Sequence, residues 1–248
     1  MDAGPPLLPG HTALYLDFDG TLAELAPAPD QVVVDPSLPS LLAALAAQLD
    51  GALAILTGRR LAAIDALISP VRVAGAGLHG AELRPEPGIT IFRGEPAAAT
   101  PLVRRLRKRF ADDPRVLIED KEVAVALHYR RAPARAAECR EAMRAFAPPW
   151  LFDVIEGSKV VEARPRGADK GGALRALARL EPFAGRMPVC VGDDRTDEDG
   201  FAAAQALRGF AVKVGSGITT ARHRLAAPAD VRQWLGASLA AWAEERSR

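Results

Sequence analysis

The sequence predicts an α/β protein whose parallel sheet is interrupted by an inserted α+β domain. Three observations carry this. Strand-like and helical runs alternate at the start of the chain, helix–hairpin patterns occur twice in succession in the middle, and the alternation then resumes.

TALYLDF (12–18) reads as a strand, SLPSLLAALAAQLD (37–50) as a helix and GALAILTG (51–58) as a short buried strand. RRLAAIDALI (59–68) reads as a helix and VRVAGAG (71–77) as a third strand. Strand–helix–strand succession implies parallel pairing with right-handed crossovers, and ligands of such sheets sit beyond the carboxyl ends of the strands. The style changes at ELRPEPGITIF (82–92), a hairpin or extended lead-in around Pro-Gly. PAAATPLVRRLRKRFAD (96–112) predicts a helix, followed by two strand-like runs, RVLIED and KEVAVALHYR. PARAAECREAMRAFA (133–147) predicts a second helix, and LFDVIEGSKVVEARP (151–165) two more strands around EGS. This is antiparallel α+β logic. From ADKGGALRALARL (168–180) the first style returns: helix, strand PVCVGDD, helix RTDEDGFAAAQAL and strand FAVKVG. A closing helix over 229–245 sets Val231, Trp234, Leu235 and Leu239 on one side. The predicted division is a core of 1–84 and 165–248 with an insert of 85–164, hinged near 82–95 and 163–168, where Pro and Gly collect.

Composition narrows the class. The chain has 248 residues, 49% hydrophobic and 25% charged, with a formal net charge of +1. That fits a globular protein and gives no general attraction to nucleic acid or anionic membrane. Its two cysteines, Cys139 and Cys190, have no metal-type spacing and fit a reducing compartment. The N-terminal MDAGPPLLPGH shows no leader pattern, and no apolar run has the length of a membrane span, so a cytoplasmic enzyme without a membrane partner is expected.

Four polar clusters stand at predicted strand ends or helix starts: DFDGT (17–21), TGR (57–59), Asp169-Lys170 and GDDRTDED (192–199). Each alone reads equally as a turn, a solvated helix residue or an N-cap. Their joint order and placement is what turn chemistry does not explain, and one physical reading joins them. Asp17, Asp19 and Asp193 offer hard oxygen ligands that suit Mg²⁺, which would relieve the repulsion of close carboxylates. Asp17 can then serve as a carboxylate nucleophile in phosphoryl transfer. The Thr57 hydroxyl, the Lys170 ammonium and the amides of the turn at 18–20 can surround the transferring phosphoryl group, with Gly20 allowing close backbone approach. Asp19 can protonate the leaving oxygen and then deprotonate the hydrolytic water.

In this order the four clusters resemble the motifs of the haloacid dehalogenase superfamily across essentially the whole chain. The resemblance implies a Rossmann-like core and, between the second and third motifs, a type 2 cap. GLHGAE (77–82), LHYR (127–130), KVVEARP (159–165), ADKGGAL (168–174), GDDRTDED and the tail FAVKVGSGITTARHRL narrow it to the trehalose-6-phosphate phosphatase family. One departure is Arg131, where that family often carries a small polar residue. The resemblance implies Mg²⁺-dependent hydrolysis of trehalose 6-phosphate through an aspartyl-phosphate. Asp17 would be the nucleophile and Asp19 the acid/base, with the Asp19 carbonyl and Asp193 also on the metal. Asp194 and Asp197 would lie behind the ligands, orienting Lys170 or metal waters. Thr57 and Lys170 would hold the phosphate, beside Gly20 and Thr21. Candidate sugar contacts are Arg130, Lys159 and Glu162, expected on strands of the insert, with His79 and Glu82 in GLHGAE. Arg59 either reaches substrate or pairs with an acid. Trehalose-6-phosphate synthase is the metabolic neighbour implied, with no bearing on physical contact.

Three rivals stand beside this reading. The basic run RRLRKR (104–109) would begin a nucleic-acid reading, but on a helix it leaves Leu102, Leu106 and Phe110 inward and reads as a solvated face. A non-catalytic module of the same fold would be expected to lack some of Asp17, Asp19, Thr57, Lys170 and Asp193, and all five are present. Phosphatases of sucrose phosphate, mannosyl-3-phosphoglycerate or hexose phosphates share the core residues and differ in the cap.

Overall fold

A computed structural model describes residues 4–26, 31–92, 94–157 and 159–246. Met1–Ala3 of the N-terminal stretch, Arg93 of the first predicted hinge and Ser158 of the EGS turn lie outside the described residues. The chain divides into two compact units, 1–90 with 169–248, and 91–168.

The first unit is a sheet with helices. Its elements in chain order are β1 (Thr12–Leu16), α1 (Leu38–Gln48), β2 (Leu53–Leu56), α2 (Leu61–Leu67), β3 (Ala74–Gly77) and β4 (Glu82–Arg84). In the second unit follow β5 (Ile91–Phe92), α3 (Pro96–Arg109), β6 (Leu117–Asp120), β7 (Val125–His128), α4 (Ala136–Phe146), β8 (Phe152–Gly157) and β9 (Val160–Pro165). The first unit resumes with α5 (Lys170–Leu177), β10 (Met187–Gly192), α6 (Glu198–Ala206), β11 (Phe210–Val214), β12 (His223–Leu225) and α7 (Pro228–Arg246).

In the first unit the strands run β12-β11-β10-β1-β2-β3-β4. Every pair is parallel except β3–β4. β1 and β2 are buried along their whole length, as TALYL and LAIL require, so both faces are covered by helices. Leu14, Leu16, Ile55, Val189, Val191 and Phe201 lie at the centre of this core. On α7, Val231, Trp234 and Leu235 are buried and Leu239 packs against the same core, the side anticipated from the sequence. Order of strands matters for the site: β10, β1 and β2 are adjacent, so the residues after their C-terminal ends converge.

The second unit is the antiparallel insert. β6–β7 and β8–β9 form the two hairpins, and they join through β7–β9 into a sheet ordered β6-β7-β9-β8. Leu102 and Leu106 of α3, and Phe110 at its C-terminal end, enter its separate core with Cys139 and Met143 of α4. The basic residues of α3 face outward, with Arg105 over the Phe146 ring and Arg109 paired to Glu138. Cys139 and Cys190 are both buried free thiols.

The structure differs from sequence expectation at strand margins. Arg130 lies past the end of β7 and Lys159 sits before β9, at a φ of 64°, so neither is within a strand. ELR forms β4 on the first unit's sheet, not a lead-in to the insert, because its antiparallel register with β3 buries Glu82 and Arg84. His223–Leu225 forms a strand beside β11 that three residues of mixed polarity gave no reason to expect.

Candidate active site

Asp17 is the first residue after β1. Its amide donates to the Val191 carbonyl of β10, which fixes the strand end. The side chain is buried, and both oxygens are engaged. Oδ1 accepts from Lys170 Nζ at 2.7 Å, and Oδ2 accepts from the Thr21 hydroxyl at 3.1 Å.

Lys170 opens α5, whose N-cap is Asp169: its Oδ1 accepts the Gly172 amide at 2.6 Å. Lys170 Nζ lies between Asp17 Oδ1 and Asp197 Oδ1, the latter at 2.6 Å, and the side chain is only 3% exposed. Burial alone disfavours the ammonium, but the ion pairs with Asp17 and Asp197 outweigh it and hold Lys170 protonated, well above the ordinary lysine range.

Asp197 is the structural hub. Oδ1 receives Lys170, while Oδ2 accepts the amides of Asp193 at 3.1 Å and Asp194 at 3.0 Å. With the Asp194 side chain accepting from the Asp197 amide, this closes a reciprocal capping box before α6. A Cβ at Gly192 would stand 2.2 Å from the Asp197 carboxyl carbon, so glycine is required there.

Asp193 follows β10. Asp17, Asp193 and Asp197 offer oxygens all within 4.8 Å of one another. Burial, then Asp197 and Asp194, push the Asp193 carboxyl up to about 6, against the opposing pull of Lys170. Burial likewise raises Asp17 well above the carboxylate range, with Lys170 pulling down and Asp197 and Asp193 pushing up. Three carboxylates therefore face one ammonium, and the excess negative charge is what a bound cation relieves. The donor set fits a hard divalent ion. Asp197 already receives three donors against two at Asp17, so Asp17 and Asp193 keep more capacity to reach it. At Gly20 a Cβ would stand 2.2 Å from Asp193 Oδ2, and φ is +83°; only glycine lets the turn pass this close to the carboxylate.

Asp19 is held differently. Its carboxylate meets Arg59 in a two-pronged pair, Nε–Oδ2 2.6 Å and Nη2–Oδ1 2.8 Å. The Arg59 amide donates to the Thr57 hydroxyl at 3.1 Å, and Thr57 is buried at the end of β2. His79 adopts a left-handed φ of 54° and packs its ring on Gly58, where a Cβ would stand 2.6 Å from Nε2. Glu82 is buried, and its Oε2 accepts the Leu61 amide at 2.8 Å, which places it as the cap of α2.

The insert's candidates are placed within the second unit. Glu162 of β9 is buried and pairs with Lys121 at 2.8 Å, while its Oε1 has no hydrogen-bond partner. Arg130 and Lys159 are exposed. The structure thus brings Asp17, Thr21, Lys170, Asp193 and Asp197 into one contact network, with Asp194 on its edge, and joins Asp19, Arg59 and Thr57 in a second.

Two lysines escaped sequence reasoning. Lys121 pairs Glu162, and Lys213 of β11 donates to the Asp193 and Val214 carbonyls. A lysine inside the apolar run FAVKVG was the available signal.

A parallel sheet with a carboxylate after its central strand, a buried lysine on it and an acidic loop after the adjacent strand β10 is the arrangement of a phosphohydrolase that works through a carboxylate. The trehalose-phosphatase family model matches residues 15–230. The trehalose-6-phosphate phosphatase of Escherichia coli (strain K12) is 43% identical over 232 residues, covering 93% of this chain and 87% of that protein. A probable trehalose-phosphate phosphatase of Sinorhizobium fredii is 44% identical over 207 residues, 82% of this chain and 77% of its own. The crystal structure of a trehalose-6-phosphate phosphatase related protein superposes with a TM-score of 0.76 at 25% identity, covering 94% and 99% of the two chains. The chain belongs to the trehalose-phosphatase family, and it is a phosphatase. Among the described residues, no helix is long and apolar enough to cross a membrane.

Proposed function

We propose that this chain hydrolyses trehalose 6-phosphate to trehalose and phosphate, in the synthesis of trehalose, with Mg²⁺ as its metal. The observation that carries the reaction is the buried Asp17–Lys170–Asp197 contact beside Asp193. The substrate rests on the family and on relatives that carry that name.

Asp17, Asp193 and the Asp19 carbonyl would hold the ion, which when bound neutralises charge on the phosphoryl oxygens and on Asp17. An Asp17 oxygen attacks phosphorus, its O–P bond forming as the P–O bond to the sugar breaks. Asp19, which takes up a proton from solvent once Arg59 has released it, gives that proton to the leaving oxygen. It then takes a proton from water, whose oxygen attacks the aspartyl-phosphate; the P–O bond to Asp17 breaks and phosphate leaves. Lys170 and the Thr57 hydroxyl hold phosphoryl oxygens, beside Gly20 and the Thr21 hydroxyl. Asp197 keeps Lys170 aimed and the Asp193–Asp194 amides in place; Asp194 secures the same turn.

Arg59 occupies Asp19 in the absence of substrate. An arriving phosphate offers the guanidinium another two-oxygen partner, which frees Asp19 for proton transfer. In the insert, the unpartnered Glu162 Oε1 is suited to accept a sugar hydroxyl, and exposed Arg130 and Lys159 can donate to others. His79 borders the phosphate side of the site through Gly58; Glu82 acts through α2 rather than on the sugar.

The test is phosphate release from trehalose 6-phosphate, sucrose 6-phosphate, glucose 6-phosphate, mannosyl-3-phosphoglycerate and p-nitrophenyl phosphate, each with Mg²⁺, with EDTA and with Asp17→Asn. Preference for trehalose 6-phosphate, abolished in both controls, is expected. Preference for another ester refutes the substrate, and release that survives Asp17→Asn refutes the mechanism.

A further inference from the structure

Lys213 is a buried cation that the reaction scheme leaves unused. It stands on β11, opposite Gly192 of β10 in parallel register, one residue before Asp193. The residue is 5% exposed. Its ammonium donates to the Asp193 carbonyl and, at 2.8 Å, to the Val214 carbonyl. Among the described residues no carboxylate forms a salt bridge with it, although its charge is felt by the Glu198 carboxylate. Burying an ammonium against two carbonyls is expensive, and an apolar side chain of similar length would serve the fold as well or better. The other side chains of this strand are apolar: Phe210, Ala211, Val212 and Val214. A lysine here therefore answers to something other than packing.

What it touches is the backbone of Asp193. That residue is gripped from two sides. Asp197 Oδ2 accepts its N–H, and Lys213 accepts nothing but donates to its C=O. With both ends of the residue's backbone fixed, the Asp193 side chain is left one direction, toward Asp17 and the turn at Gly20. Released from Lys213, the carbonyl keeps only the hold on the other edge of its peptide, the Asp194 N–H on Asp197 Oδ2, and the direction of the carboxylate is less sharply set.

We propose that Lys213 is a positioning residue for the metal site: it anchors the Asp193 carbonyl so that the Asp193 carboxylate is preset to share a divalent ion with Asp17. The proposal rests on the reading of Asp17 and Asp193 as metal ligands. It does not depend on which ester is the substrate. Lys213 touches neither substrate nor ion.

Calorimetric titration of the full chain with Mg²⁺, without substrate, tests it. Removing an outer support of a metal ligand weakens the ion about 10- to 100-fold. Lys213→Met and Lys213→Gln are each expected to raise the Kd by at least about tenfold, while circular dichroism shows a native fold. Lys213→Arg, which keeps the charge and can donate to both carbonyls, is expected to recover most of the affinity. A folded Lys213→Met or Lys213→Gln that binds Mg²⁺ like the wild type overturns the proposal, as does a natively folded Lys213→Arg as weak as Lys213→Met. Either folded variant suffices if the other fails to fold. Wild-type protein that binds no Mg²⁺ overturns the metal site itself, and this proposal with it; Asp193→Asn marks that level.

Discussion

The core site and the insert's candidate residues are built in opposite ways. In the core, Asp17, Lys170 and Asp197 are each buried and each bonded to another, so the side chains are fixed before substrate arrives. In the insert, Arg130 and Lys159 are exposed, and Glu162 is buried with one oxygen paired and the other unpartnered. The difference separates two tasks. Stabilising a transition state requires groups that do not reorganise during the reaction. Recognising a sugar requires donors and acceptors that hydroxyls complete. Core substitutions should therefore act on kcat, insert substitutions on KM.

The largest effect expected is from Asp17→Asn, which removes the nucleophile while keeping its shape. Steady-state kinetics should show kcat falling by at least about 10³-fold. A residual kcat within tenfold of wild type would break the comparison at its core end. Lys170→Met comes next. It leaves Asp17 and Asp197 buried without their counter-charge, so urea denaturation of the metal-free protein should show a loss of about 3 kcal/mol, with activity gone. In the insert, Lys159→Ala should raise KM about tenfold with kcat and Tm unchanged, since the side chain is exposed and, as proposed, would bind substrate and transition state alike. A fall in kcat instead would erase the division of labour.

A pH prediction follows from Asp193, raised from 3.8 to about 6. Because its folded value lies above its unfolded one, its contribution to stability is full below about pH 4 and is lost as pH rises through about 6. Metal-free wild type should lose Tm relative to Asp193→Asn across that window. Mg²⁺ should remove the difference and release protons at pH 6. The smallest effect is that of Glu82→Ala: loss of the α2 cap should lower stability by about 1 kcal/mol, with kcat and KM unchanged.

The parallel core was readable because each of its strands is a short apolar run ending in a polar cluster, and periodicity is local. The same is true of the two hairpins. Asp17, Asp19, Thr57, Lys170 and Asp193 were readable as a group, since acids and a lysine at successive strand ends and helix starts have no common structural purpose. What was not legible depends on partners distant in sequence. Glu82 caps a helix that begins 21 residues earlier, and Asp19 takes Arg59 from 40 residues away. Lys213 reads in sequence as one charge in a strand; only the register with β10 puts it on the Asp193 carbonyl. Arg130 and Lys159 were assigned to strands because the apolar runs continue to their doors, while the ladder ends at His128 and begins at Val160.

The central claim is that Asp17 carries the phosphoryl group. Its direct test is rapid acid quench of wild-type enzyme during turnover of trehalose 6-phosphate labelled in the phosphate, followed by peptide mapping. The account predicts label on the peptide containing Asp17, sensitive to hydroxylamine and absent in Asp17→Asn. Phosphate release at full rate with no label on that peptide at any quench time, or label that persists in Asp17→Asn, would contradict it.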